Sequence, residues 1–318
     1  MVGPMAKILA YVNLYPPSTR AGAELMLHEI LLSLRALGHE VMVAQPNPQH
    51  KVVDGIRIIK YSQVYEFDAD IVFTQNHDTK HAITHAKSIN KPIVHFVHND
   101  QAVKLFRLNA TNSDLVVANS KWVYDGIKIN NLTKMIVNPH TDIDTYKTER
   151  QDASKITFIN LIDIKGVNMF WRVAEILSDR EFLAVKGGYG TQIVKRLGNV
   201  SVVENTGNMK SIYAQTKIFF MPSKYESWGR AAVEAMASGI PVVGSNARGL
   251  VESVGDAGML AEPDDANSFV RLIKSLDDER TYQKYSQKAE ARALNLSKEF
   301  SRQIRELHNA IRWVSGKA

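Results

Sequence analysis

The chain is predicted to be an α/β protein built on two doubly wound parallel sheets. Three observations predict it. Short runs that are apolar almost throughout, such as Lys7 to Val12 and Ile218 to Met221, alternate with stretches of helical period, as strands buried on both faces do. A polar stretch at 147–154, K-T-E-R-Q-D-A-S, separates two such series. The length of 318 residues is that of about two domains.

The first series opens with a strand at 7–12, a loop at 13–22 and an amphipathic helix from about 23 to 37 that stops at Gly38. Further strands are expected at 40–44, 71–74, 92–97, 115–118 and 135–137. After the divide come strands at 155–160, 181–185, 200–203, 218–221 and 241–244, and a last, basic helical segment at roughly 290–314. Helices between most of the strands mean parallel sheets covered on both faces. The expected domains are 1–150 and 151–298, followed by a terminal helix at 299–318.

Composition narrows the function classes. Hydrophobic residues at 45% and charged residues at 23% are ordinary for a globular chain. No run is long and apolar enough to cross a bilayer, and the N-terminus lacks a signal-peptide pattern, so a cytoplasmic location is expected. The absence of cysteine excludes disulfides and thiol catalysis. The net charge of +6 is spread over both halves, a mild bias and not a nucleic-acid footprint.

The chemistry concentrates in P-S-K-Y-E-S-W-G-R-A-A-V-E-A-M-A-S-G-I-P at 222–241. Pro222 ends a buried strand, Ser227 is a good N-cap, Ala231 to Ala237 is strong helix former, and Gly239 with Pro241 stops the helix. Glu226 then lies in the turn and Glu234 about two turns inside the helix. The N–H groups of Ser227, Trp228, Gly229 and Arg230 are expected at the helix start, where a phosphate binds without a metal. One carboxylate suits sugar hydroxyls and the other ribose hydroxyls.

Together with N-L-I-D-I-K-G at 160–166, E-A-M-A-S-G-I-P-V-V at 234–243 and G-L-V-E at 249–252, this stretch resembles the retaining GT-B glycosyltransferases of glycosyltransferase family 4. The resemblance implies two Rossmann-like domains facing a cleft, an acceptor-side domain at 1–150, a nucleotide-sugar-binding domain at 151–298, and a last helix that returns to the first domain. It also implies a UDP- or GDP-linked sugar as donor, with no cofactor and no metal. An acceptor hydroxyl attacks from the leaving-group face with retention. Lys165 is the family's phosphate-binding lysine, Glu226 holds the transferred sugar, and Glu234 holds the ribose. Base recognition falls near Val203, Glu204 and Asn205. Trp228 stands where the family often has phenylalanine, and either stacks on a ligand or packs inside.

One departure matters. The family usually has an arginine at the position of Asn160, and an asparagine lacks that two-pronged, charged donor. Lys186, Arg230, Lys224 and Arg248 are the candidates to replace it. In the first half, Gly22 in S-T-R-A-G-A-E resembles the glycine loop that approaches donor phosphates, although an ordinary strand–helix turn reads the same way. His98, in P-I-V-H-F-V-H-N-D, matches the family's turn at the sugar end, and His77 ends another strand on the acceptor side. His77, His81 and His85 recur every fourth residue, a zinc-compatible spacing, but an acceptor surface or a solvated face is the simpler reading.

Two other classes stand beside the enzyme. A weakly active or inactive GT-B scaffold that binds nucleotides is motivated by Asn160. A transferase with a lipid or modified-DNA acceptor is motivated by the basic balance and by V-K-L-F-R-L at 103–108, which suits peripheral contact with an anionic membrane surface. An ordinary amphipathic surface helix is the simpler reading of that stretch.

Overall fold

The computed structural model describes residues 5–19, 21–75, 79–99, 113–129, 131–150 and 152–317. Two compact units are present, one of residues 1–139 with 300–318 and one of residues 140–299. The division thus falls between Pro139 and His140, ahead of the polar stretch at 147–154. Residues 140–150 join the second unit because their backbone and side chains are hydrogen-bonded there. Thr148 N–H donates to Ser238 Oγ at 3.0 Å, and the Arg150 guanidinium donates to the Gly239 carbonyl at 3.1 Å and to Tyr282 Oη at 2.7 Å.

Among the described residues the first unit holds eight strands: β1 (Lys7–Tyr11), β2 (Glu40–Gln45), β3 (Val52–Val53), β4 (Ile56–Lys60), β5 (Ile71–Gln75), β6 (Ile93–Val97), β7 (Leu115–Ala118) and β8 (Lys134–Ile136). Their order is β3-β4-β2-β1-β5-β6-β7-β8, parallel throughout except for the β3–β4 pair. That hairpin is absent from the sequence-based expectation. It turns on Asp54 and Gly55, both at positive φ (46° and 76°), the Asp-Gly combination that tight hairpins favour.

The second unit holds β9 (Lys155–Ile159), β10 (Phe182–Val185), β11 (Val200–Val203), β12 (Thr216–Met221), β13 (Val242–Ser245) and β14 (Gly258–Ala261) in the order β11-β10-β9-β12-β13-β14, all parallel. Strand order reverses between β1 and β5 in the first sheet and between β9 and β12 in the second. Loops leaving the carboxyl ends of strands on either side of such a reversal diverge and leave a crevice.

The last helix runs over Glu279–Val314, starting well before the expected 290. Up to Glu299 it counts with the second unit; beyond that, Phe300, Ile304, Leu307 and Ile311 are buried in the core of the first unit with Ile8, Leu27 and Leu34. Leu307 is fully buried, whereas Trp313 on the same helix is 68% exposed. Replacing Leu307 by Ala is therefore expected to cost about 2–5 kcal/mol of unfolding free energy. Trp313→Ala should stay within about 0.5 kcal/mol. Urea unfolding of the two variants checks the difference.

Candidate active site

The loops after β9 and β12 carry the centre of the second unit. After β9 the chain makes a short turn at Asp163–Lys165, and Gly166, at φ 82°, begins the helix Val167–Ile176. A side chain at Gly166 would run into the Pro222 carbonyl at 1.9 Å, so only glycine lets the two loops touch. On its other side the 222–229 loop meets Gly249, whose missing side chain would collide with Ser227 backbone at 2.2 Å, and the Gly249 N–H donates to the Glu226 carbonyl at 3.1 Å. Two glycines, from K-G and from G-L-V-E, thus grip the loop that carries Glu226.

That grip brings Lys165 Nζ to 2.6 Å from Glu226 Oε1, and the Ser223 hydroxyl donates to the same oxygen at 3.0 Å. The Glu226 side chain is only 6% exposed and the Lys165 side chain 20%. Burial pulls the Lys165 ammonium down, but the Glu226 carboxylate and the Tyr189 phenol outweigh it and hold its pKa above the ordinary value. Lys165 is thus a fixed positive charge at the reversal of strand order. The sequence names both residues but does not reveal that they meet.

Glu234 also has close partners. Arg230 Nε donates to Oε1 at 2.9 Å and the Tyr213 hydroxyl to Oε2 at 3.0 Å, while Arg230 Nη2 reaches the Tyr146 hydroxyl at 3.4 Å. Burial and the neighbouring carboxylate raise the Tyr213 pKa far above its usual range, so it remains a donor. Arg230 is accordingly tied to Glu234. Lys186 is paired with Glu204 at 2.6 Å, and Lys224 with Asp163 at 2.9 Å. Of the four candidates to replace the usual arginine, only Arg248 is exposed without an acidic partner among the described residues.

Several local expectations are corrected. The helix that carries Glu234 (Arg230–Met236) starts at Arg230 and is capped by Gly229 at φ 89°, not by Ser227. A side chain on Gly229 would press on Leu250 at 2.9 Å, so the chain turns there and Ser227 stays in the loop. Glu234 is the fifth residue of this helix, little more than one turn in. Trp228 is 3% exposed, and its indole N–H has no partner among the described residues. Asn160 adopts φ 69°, a conformation asparagine tolerates, and turns its amide inward. There its Oδ1 accepts from Gln192 Nε2 at 3.0 Å, while Gln192 Oε1 receives the N–H groups of Leu161 and Gly187 at 3.0 and 2.9 Å. The sequence gives no signal for Gln192, a loop residue that ties the ends of β9 and β10 together.

In the first unit, Gly22 begins the first helix (Gly22–Ala36), but a side chain there would meet no atom within 4 Å, so no close approach demands glycine. His77 and the 103–108 stretch lie outside the described residues. His81 is exposed, whereas His85 is buried between Tyr11 and Tyr65 with neither ring nitrogen hydrogen-bonded among the described residues. His98 is 5% exposed, and its Nε2–H donates to Gln75 Oε1 at 2.8 Å. Burial pushes its pKa down to about 4 and that of His95 to about 3, so both rings are neutral near pH 7.

Residues 160–292 match the glycosyl transferases group 1 family. Over 91 residues the chain is 41% identical to O-antigen chain mannosyltransferase B of Escherichia coli, covering 28% of this chain and 23% of that protein. It spans 23% and 57% of the lengths of the first two curated relatives it matches. Among solved structures it is similar to the sucrose-phosphate synthase of Thermosynechococcus elongatus, with a TM-score of 0.80 at 16% identity, over 96% of this chain and 100% of that one. It is also similar to Anabaena HepE in complex with UDP-glucose, with a TM-score of 0.78 at 16% identity over 98% and 100%. The fold is GT-B. No helix among the described residues is long and apolar enough to cross a membrane.

The buried histidines give a pH signature. The unfolded chain takes up their protons near 6.5, whereas folded His98 does so only near 4. Stability is therefore complete above about pH 6.5 and falls as the pH drops toward 4, by about 1.4 kcal/mol per pH unit for each such histidine. Denaturant unfolding between pH 7 and 5 should show this decline, and His98→Gln should make it shallower by about one histidine's share.

Proposed function

We propose that this protein is a retaining glycosyltransferase that moves a sugar from a UDP- or GDP-linked donor to an acceptor hydroxyl without a metal ion. The observation that carries the reading is the Lys165–Glu226 pair, held at 2.6 Å by loops that leave β9 and β12 where strand order reverses. A partly buried cation bound to a buried carboxylate at that point offers one group for a phosphate and one for a hydroxyl.

In this reading the donor diphosphate takes Lys165 as its counter-charge, with exposed Arg248 supplying the positive charge that Asn160 does not. As the bond from the anomeric carbon to the phosphate oxygen breaks, its electron pair passes to the diphosphate, and the nearby ammonium stabilises that growing charge. Glu226 accepts hydrogen bonds from hydroxyls of the transferred sugar, and His98 is assigned to another of them. Glu234, already steadied by Arg230 and Tyr213, keeps lone pairs for the ribose hydroxyls. The acceptor oxygen bonds to the anomeric carbon from the leaving-group face, and its proton passes to a phosphate oxygen. The match of residues 160–292 to a glycosyltransferase family and the likeness to structures with bound UDP-glucose support this reading.

The inward-turned Asn160 favours a second reading, a nucleotide-binding scaffold with little turnover. The test begins with a thermal-shift screen of nucleotide sugars, because a specific donor raises apparent stability. Transfer and donor-hydrolysis kinetics then follow with the donor found. Lys165→Ala is expected to lower kcat by about 10²–10³-fold. Glu234→Ala is expected to weaken donor binding by about tenfold or more, the loss of charge-assisted hydrogen bonds. EDTA should leave the rate unchanged. Normal transfer in both variants overturns the assignment, and donor binding without turnover in the unaltered protein favours the scaffold.

A further inference from the structure

Four successive strands of the first sheet end in buried polar side chains. Gln75 ends β5, His98 follows β6, Asn119 follows β7 and Asn138 comes just after β8, and each is 7% exposed or less. They form one run of hydrogen bonds. His98 Nε2–H donates to Gln75 Oε1 at 2.8 Å, Asn119 Nδ2 to the His98 carbonyl at 2.9 Å, and Asn138 Nδ2 to the Asn119 carbonyl at 3.0 Å. Gln303 of the last helix completes the run with two bonds to Asn138. Its Oε1 accepts from the Asn138 N–H at 2.8 Å, and its Nε2 donates to Asn138 Oδ1 at 2.8 Å.

Every link has a fixed direction. An amide oxygen only accepts, so the proton of the His98 ring sits on Nε2 and Nδ1 carries the lone pair. Asn119 restrains the backbone of the turn while Gln75 restrains the ring, so rotation and displacement of His98 are both opposed. Buried amides of this kind cost desolvation, and a merely structural sheet end is filled more cheaply by apolar side chains.

We propose that Gln75, Asn119, Asn138 and Gln303 are positioning residues that hold His98 with Nδ1 presented as an acceptor for a sugar hydroxyl, so that the terminal helix takes part in placing the substrate. The inference rests on the assignment of His98 to the transferred sugar. It goes beyond that assignment by making the geometry of His98 depend on Gln303, a residue 165 positions from the Asn138 it grips.

The test uses the full chain, with UDP-glucose or GDP-mannose as donor, whichever raises the melting temperature. Long-range proton–nitrogen NMR of the histidine rings is expected to show His98 as the Nε2–H tautomer. Gln75→Met should mix the tautomers, and Gln303→Met should shift the His98 nitrogen signals. Gln303→Met is also expected to lower kcat/KM for the donor about tenfold. That loss should vanish in the His98→Ala background, although the drop in melting temperature should appear in both backgrounds. An equal rate loss with and without His98, or unchanged His98 signals in both Met variants, overturns the proposal. Should Gln303→Met fail to fold, Gln75→Met alone decides through the tautomer. If His98→Ala leaves the rate intact while Lys165→Ala slows it, the relay falls and the glycosyltransferase reading stands. If neither variant affects the rate, that reading falls as well.

Discussion

A partly buried ammonium 2.6 Å from a buried carboxylate is an expensive object unless both ends are held. Separating the charges, or deleting one, leaves the other without compensation at a cost of about 3–5 kcal/mol. The second unit is arranged to keep Lys165 and Glu226 together. Their loops meet only because Gly166 lets the Pro222 carbonyl in, and the Glu226 loop is backed by Gly249. Ser223 adds a donor to the same carboxylate oxygen, and its own carbonyl is taken by the Ser245 hydroxyl from the next strand. The pair thus depends on residues from β9, β12 and β13 acting at once.

The two carboxylates of the site differ in how they are satisfied. Glu226 is balanced by a lysine from another strand's loop, so its geometry reports the packing of two loops. Glu234 is balanced within its own helix by Arg230, four residues earlier, and by Tyr213 from the preceding segment. An arrangement inside one helix survives small shifts of the loops, whereas the Lys165–Glu226 contact does not. Any displacement of Lys165 therefore acts on Glu226 first.

Much of this was legible in the sequence, and the limits have physical causes. Strands buried on both faces announce themselves as apolar runs, so β1, β2, β5, β6, β9 and β12 fall close to where periodicity puts them. The hairpin at β3 and β4 carried its Asp-Gly signal but is too short to show a pattern. Lys165 and Glu226 were recognisable one by one from their motifs. Their contact was not, because β9 and β12 lie side by side only through the reversal of strand order, 61 residues apart. Asn160 looked like a loss of charge, and only its backbone conformation shows why its amide turns inward. Gln192, Tyr213, Asn138 and Gln303 act through tertiary hydrogen bonds that local sequence does not encode.

The core of the first unit is closed by Phe300, Ile304, Leu307 and Ile311, made after the whole second unit. On the ribosome, the earlier-made sheet must therefore wait with an apolar strip uncovered while about half of the chain is still to come. The unit of residues 140–299 meets no such delay, since all of its segments are contiguous. The order of completion during synthesis is thereby the reverse of the order of translation, and a nascent chain stalled before Phe300 leaves that apolar strip facing water.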